Sequence, residues 1–334
     1  MNRLRYIILW LGTALLASCS ADMESEAQPS EQQAIQLTAQ GLSAMVPTRA
    51  ASTSDLQNTA FAAGEDVAVY VENHSSENTY NATPYCFRAS AAVGGQNELT
   101  YYNNVTTASR PCYPVSASEG IDIYGFYPYS KFSAVNNRST TDLDVSVYAD
   151  QSTAANYRSS DIMMATAITD QKRTTDAVVL QFRHLLAKLV IRLKQGVHSG
   201  TSSVVSATHL ANSTLTIGSV KTNATLNMGT GDVTTDNNDS GTTVTIATSS
   251  DLAFYYNNAT ATISTTEYAI ILPPQSLGSD NTITITTSAG TISGTLPDLS
   301  LSAGSSTVLT LTINDYGIEA SRSNYGNGGS TTWQ

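Results

Sequence analysis

The sequence predicts an all-β protein, built as two β-sandwich domains in tandem. Short segments of alternating apolar and polar residues recur along it, as in Val67/Val69/Val71 and Leu309/Leu311/Ile313. Connectors rich in Asn, Gly, Ser and Pro separate them, which is the spacing of a sandwich and not of an α/β fold. Only 13% of residues are charged, while Thr, Ser and Tyr abound, a composition suited to half-buried strands. The length, 334 residues, exceeds a usual single domain and suggests two.

The first residues read as an export signal. Arg3 and Arg5 precede the apolar run Tyr6 to Leu16, and small residues at Ala17 and Ser18 lead to Cys19. That run is too short to remain as a membrane-spanning helix. Leu16-Ala17-Ser18-Cys19 has the pattern of a bacterial lipobox, in which the Cys19 thiol takes a diacylglycerol and anchors the new N-terminus. Several acyl chains hold a protein at a membrane where one would not. Removing residues 1–18 takes away two arginines and no acid, so the net charge of −11 becomes −13. Such an acidic surface excludes nucleic acid as a partner.

Residues 20–33 are polar and acidic and form an expected tether. Ala34-Ile-Gln-Leu-Thr-Ala39 alternates, with Ile35 and Leu37 on one face, and reads as a short first strand. Residues 41–56 read as an accessible loop, with Arg49 the only basic residue between Cys19 and Arg88. Further strands are expected near residues 67–71, 85–89, 99–102, 121–127 and 143–148. The stretch 178–194 has two readings. Phe182, Leu186, Leu189, Val190 and Leu193 form a helical stripe, but Val178/Leu180/Phe182 and Leu189/Ile191/Leu193 also alternate as two strands. Beyond it, Leu215/Ile217, Leu226/Met228, Val244/Ile246, Tyr268/Ile270/Leu272 and Ile283/Ile285 read as strands of the second sandwich, and Pro273-Pro274 ends one of them.

No catalytic or metal-binding constellation stands out. The four histidines are scattered, and His184, in an apolar face, reads as a hydrogen-bonded core residue. Asp236-Asn-Asn-Asp-Ser-Gly241 imitates the start of a calcium loop, but Ala247 stands where a bidentate Glu is needed, so a polar turn is expected. No metal, cofactor or enzyme activity is expected. Cys86 and Cys112 form a candidate disulfide, since an exported chain meets an oxidising compartment; two unpaired buried thiols are the other reading. Tyrosine clusters such as Tyr101-Tyr102 and Tyr255-Tyr256 read first as sheet-face residues and second as platforms for a sugar ring.

Taken in order, several short motifs resemble the fimbrillins, the pilins of type V pili in Gram-negative gut and oral anaerobes. They are the lipobox at Cys19, Pro47-Thr-Arg-Ala50 ahead of Phe61-Ala-Ala-Gly-Glu-Asp-Val-Ala-Val-Tyr70, and Ile121-Asp-Ile-Tyr-Gly-Phe-Tyr-Pro-Tyr129. Asp161-Ile-Met-Met-Ala165, Leu180-Gln-Phe-Arg-His-Leu-Leu-Ala-Lys-Leu189, Ala269-Ile-Ile-Leu-Pro-Pro-Gln275 and Leu301-Ser-Ala-Gly304 continue the series. The resemblance implies two transthyretin-like sandwiches and favours the two-strand reading of 178–194. It divides the chain into a signal peptide (1–18), a lipidated tether with the first strand (19–49), an N-terminal sandwich (50–196) and a C-terminal sandwich with its tail (197–334).

The function it implies is a structural or tip subunit of a surface fimbria, delivered to the outer membrane through the lipid on Cys19. A trypsin-like maturation protease would cut after Arg49 and release the first strand. Donor-strand insertion from other pilin subunits would then fill the opening. The alternative is an adhesin that stays anchored in the membrane and binds a host glycan or protein. The polar, glycine-rich residues 321–334 depart from a strong donor strand, with only Tyr316, Ile318 and Ala320 alternating before them.

Overall fold

In the computed structural model, the description covers residues 32–41, 60–75, 80–106, 108–138, 142–196, 210, 212–249, 252–257, 262–263, 266–288, 290–314, 317–322 and 331–332. From residue 32 onward the chain forms one compact unit. The first strands are β1 (Leu37–Gly41), β2 (Asp66–Asn73), β3 (Tyr85–Ala89), β4 (Gln96–Tyr101) and β5 (Ile121–Tyr127). A short helix α1 (Tyr129–Phe132) precedes β6 (Asp142–Ser146), and α2 (Ala154–Ser160) precedes β7 (Met163–Ala165), β8 (Ile168–Gln171), β9 (Val178–His184) and β10 (Ala187–Gln195). Then come β11 (Ser213–Val220), β12 (Asn223–Asn227), β13 (Val233–Thr235), β14 (Thr242–Ser249), β15 (Tyr256–Asn257), β16 (Thr262–Ile263) and β17 (Tyr268–Leu272). The last are β18 (Gln275–Leu277), β19 (Thr282–Thr287), β20 (Gly290–Thr295), β21 (Leu299–Leu301), β22 (Ser305–Asn314), β23 (Gly317–Arg322) and β24 (Thr331–Thr332). The protein is all-β, as its alternating segments predict.

The first sheet closes on itself. Its order is β2-β3-β4-β1-β9-β7-β5, and β5 pairs back with β2, with β8 attached outside on β5. Inside lies a core of Ile35, Leu37, Ala39, Val67, Val69, Phe87, Leu99, Ile123, Leu180 and Phe182, each at most 4% exposed. These residues sit at every second position of their strands, the period that sends alternate side chains to one face. At the inward position of β5, the chain needs glycine: a Cβ on Gly125 would lie 2.8 Å from Phe182 Cζ and 3.3 Å from Leu180 Cδ1.

β2 is buried on both faces. Val67, Val69 and Val71 join the first core, while Ala68 and Tyr70 join a second. Phe126 of β5 does the same, and its ring packs 4.9 Å from that of Phe132 in α1.

The second core is organised around β10. This strand runs parallel to β22 and antiparallel to β17, and Leu189, Val190, Ile191 and Leu193 are fully buried. A four-stranded sheet, β14-β11-β19-β20, contributes Leu215, Ile217, Val244, Ile246, Ile283 and Ile285 to the same core. β6 pairs with β12, so residues 142–146 also belong with the C-terminal strands.

The stretch 178–194 is two strands. The chain changes sheet at the buried pair Leu185 and Leu186, ahead of residue 196. A helix would bury one stripe and leave Leu180 or Ile191 in water; as strands, both are fully buried, in different cores.

Polar contacts line this crossover. His184 Nδ1 lies 2.9 Å from the Asp161 carboxylate, and Arg192 Nη2 lies 2.6 Å from Glu267. His184 is thus the bonded core histidine that its apolar surroundings predict. Lys188 is fully buried between these groups, and the loss of hydration pushes its ammonium down to about 8, against the pull of Asp161 and Glu267. The unfolded chain, with an ordinary lysine near 10.4, binds more protons between those two values, so this lysine makes folding more favourable as pH rises through that window. Urea denaturation between pH 7.5 and 9.5 is expected to show the wild type gaining stability relative to Lys188→Met, by about 1 kcal/mol or more; a flat or falling difference would contradict this placement.

Candidate functional site

The candidate site is the seat of β1. Ile35, Leu37 and Ala39 point into the first core and are 0%, 1% and 0% exposed. Leu37 lies across from Leu99 on one side and Val178 on the other, and Ala39 lies between Asn97 and Leu180. β1 runs antiparallel to β4 and parallel to β9. The approach to the strand is also held: Ile35 N donates to the Pro111 carbonyl at 3.1 Å, and Tyr113 N donates to that of Gln33 at 2.8 Å.

β1 is therefore an interior strand made by the chain's first described residues, inserted between strands from far along the sequence. Without it, β4 and β9 would each expose a row of unpaired backbone groups, and the first core would open to water. Such edges readily accept another strand. Burial of a Leu or Ile contributes about 1.5–3 kcal/mol apiece, so the two large side chains give the strand a substantial hold.

The residues after the 42–59 segment have a separate anchor. Asn97, in β4 and fully buried, accepts a hydrogen bond from Phe61 N at 2.9 Å and donates to the Phe61 carbonyl at 2.9 Å. The Phe61 ring stands edge-on to Phe182 at 5.0 Å and packs against Tyr127 at 5.0 Å. Sequence reasoning passed over Asn97. The signal was its phase: Leu99 and Tyr101 mark the apolar face of β4, and Asn97 is a polar residue on that same face.

Cys19 and Arg49 lie outside the described residues. Cys86 and Cys112, the candidate disulfide, are both free thiols. Tyr85, Phe87 and Ala89 of β3 face the first core, which turns the intervening Cys86 to the other face, toward Asp66 and Arg88. Cys112 pairs with Ala34 and, half-buried, lines an open pocket with Tyr80 and Tyr85. Burial, reinforced by Asp66, pushes the Cys86 thiol up to about 12.

The tyrosine clusters offer few free rings. An Arg guanidinium already covers one face of Tyr102 (Arg88, 3.4 Å), Tyr124 (Arg138, 3.3 Å) and Tyr255 (Arg192, 4.5 Å). The Asp236–Gly241 segment is a turn in which Asp239 accepts from the backbone N–H groups of Thr222, Asn223 and Gly241. Among the described residues, no group of three or more His, Cys, Asp or Glu is placed to hold a metal.

The chain is thus an all-β protein whose first described strand completes its N-terminal sheet. The fimbrillin-like family profile matches residues 48–328, and the chain belongs to that family. It is 27% identical to a Bacteroides uniformis protein assigned as fimbrium subunit Fim1C, over 99% of both chains. Its fold is similar to that of a crystal structure assigned as a cell adhesion protein from Bacteroides uniformis, with a TM-score of 0.62 and 20% identity, covering 92% of this chain and all of that one. A second such structure, from Bacteroides ovatus, has a TM-score of 0.63 and 15% identity, covering 91% and 98%.

Two measurements check this geometry. Leu37→Ala is expected to cost the uncut chain about 2–5 kcal/mol in chemical denaturation, whereas Thr38→Ala should stay within about 1 kcal/mol. Alkylation of the folded protein should label Cys112 readily and Cys86 only after unfolding, since the reactive form is the thiolate; rapid labelling of Cys86 would contradict its burial.

Proposed function

We propose that the protein is a structural subunit of a cell-surface fimbria that is exported as a lipoprotein through Cys19 and polymerises by strand exchange. It is not an enzyme; family membership and the full-length likeness to a fimbrium subunit support a fimbrial role. One observation carries the mechanism: β1 is the chain's own strand, yet it fills an interior place between β4 and β9.

On this reading a trypsin-like protease cuts after Arg49, and the lipid leaves with residues 19–49. A strand from another pilin subunit takes the vacated seat. Its backbone makes the ladder bonds that β1 made, and its alternating apolar side chains enter the pockets of Ile35 and Leu37. The first core then stays closed in the polymer as it was in the precursor.

The Phe61 anchor supports the same reading. Asn97 fixes the chain just past the 42–59 segment through bonds that do not involve β1. A cut among residues 42–59 therefore separates two parts, each with its own hold on the sheet.

Arg49→Ala tests the proposal. Cells carrying the variant are expected to accumulate a full-length, lipid-bearing monomer, while the wild type on fimbriae begins at Ala50. Normal fimbriae built from the variant would sink the mechanism.

A further inference from the structure

The seat of β1 is not uniform along its length. Its residues taper from Ile35 and Leu37 to Ala39 and Gly41, all buried, while Gln36, Thr38 and Gln40 between them take the other face, where Gln36 is exposed and Thr38 and Gln40 are half-buried. The narrow end is shaped by Asn97. Besides its two bonds to Phe61, Asn97 Nδ2 donates to the Ser90 carbonyl at 2.7 Å, so both amide hydrogens and the oxygen are engaged. The bond from Phe61 N fixes which side-chain atom is the oxygen. Moving this side chain would break three hydrogen bonds in a buried setting, where unmade bonds are costly.

The other walls at this level are equally full. Leu180, across from Ala39 on β9, is fully buried. Leu180 and Phe182 press against the bare Cα side of Gly125, and Phe182 also bears on the Phe61 ring. A larger side chain at the Ala39 position would press on Asn97 and Leu180, which flank it across the two ladders.

We propose that Asn97 is a size gate that sets the register of any strand occupying the β1 seat. The partner it fits is an extended segment of another subunit, reading large, x, large, x, small from its N-terminal end. That strand runs antiparallel to β4 and parallel to β9, with the small residue against Asn97. This rests on the strand-exchange reading and deepens it.

The gate answers a problem that alternation leaves open. A one-residue slip turns every apolar side chain outward and is rejected by the core. A two-residue slip keeps the same residues inward, so a uniformly apolar groove would tolerate it. With Asn97 fixed, that slip forces the residue equivalent to Leu37 into the space of a methyl group. Only one register then satisfies both the wide and the narrow ends.

The test uses the full chain cut within residues 42–59, with β1 still seated, and fluorescein-labelled synthetic peptides followed by anisotropy. The peptide Ala-Ile-Gln-Leu-Thr-Ala-Gln-Gly, residues 34–41, is expected to enter as β1 leaves. The same peptide with Ala39→Leu should bind at least about tenfold more weakly, the effect of overfilling a packed site, while Gln36→Leu, at the exposed position of the other face, should bind like the parent. On a chain carrying Asn97→Ala, the Ala39→Leu penalty should shrink to less than about threefold, taking a tenfold change as about 1.4 kcal/mol. Equal binding of the parent and Ala39→Leu peptides to the unmutated chain would overturn the gate and leave strand exchange standing. Failure of every peptide to enter would overturn the exchange reading and the gate with it. If Asn97→Ala does not fold, the two peptides on the unmutated chain still decide.

Discussion

The N-terminal half depends on one backbone ladder, in which β1 bonds to β4 on one side and β9 on the other. Through it the first sheet closes, and a closed sheet has no edge to protect. β1 and the residues leading into it place only three apolar side chains in this core, Ile35, Leu37 and Ala39. They close a core to which β2, β3, β4, β5, β7 and β9 also contribute. A few buried side chains on one short strand thus determine whether that core is sealed.

The consequence of losing the strand is local. No residue of β1 belongs to the second core, which draws on β6, β10, β11, β12, β14, β17, β19 and β22 among others, together with parts of β2 and β5. β2 and β5 hold to each other by their own ladder over six residue pairs, Ala68–Asn73 against Ile121–Phe126. Opening the β1 seat therefore leaves the wall between the two cores paired and buried on its far face. Proteins commonly open in such cooperative segments well below the cost of global unfolding. Here the segment is bounded by β4 and β9, with β2 and β5 held from behind.

Much of this was legible in the sequence, and what was not has identifiable causes. Strands with apolar residues at every second position, such as Val67/Val69/Val71 and Ile283/Ile285, read directly. The short first strand read correctly from Ile35 and Leu37, but its interior place did not, because its partners β4 and β9 come from distant sequence. Periodicity left residues 178–194 undecided between one helix and two strands; two separate cores resolve it, and a core is a tertiary object. The candidate pairing of Cys86 with Cys112 rested on the compartment alone; Cys86, out of phase with Tyr85 and Phe87, is turned from the first core, and both thiols are free. β6 could not be assigned to the C-terminal strands, since Leu143 and Val145 alternate in the same way whichever sheet they join.

A strand seated in its own chain enjoys an advantage that no free strand has. Tethered through residues 42–59, β1 competes at the effective concentration of a short linker, on the order of millimolar. A donor at micromolar concentration would need to bind roughly a thousandfold better, about 4 kcal/mol, merely to match it. Better contacts cannot readily supply that margin, because the groove is already filled to its walls at Ala39 and sealed at Leu37. On the proposed exchange, cutting the chain between β1 and Phe61 would remove that advantage while leaving the described contacts of β1 in place, so that two free strands would compete for one seat. If subunits assemble by the proposed strand exchange, the tight fit of β1 would make a broken peptide bond the step that admits another strand.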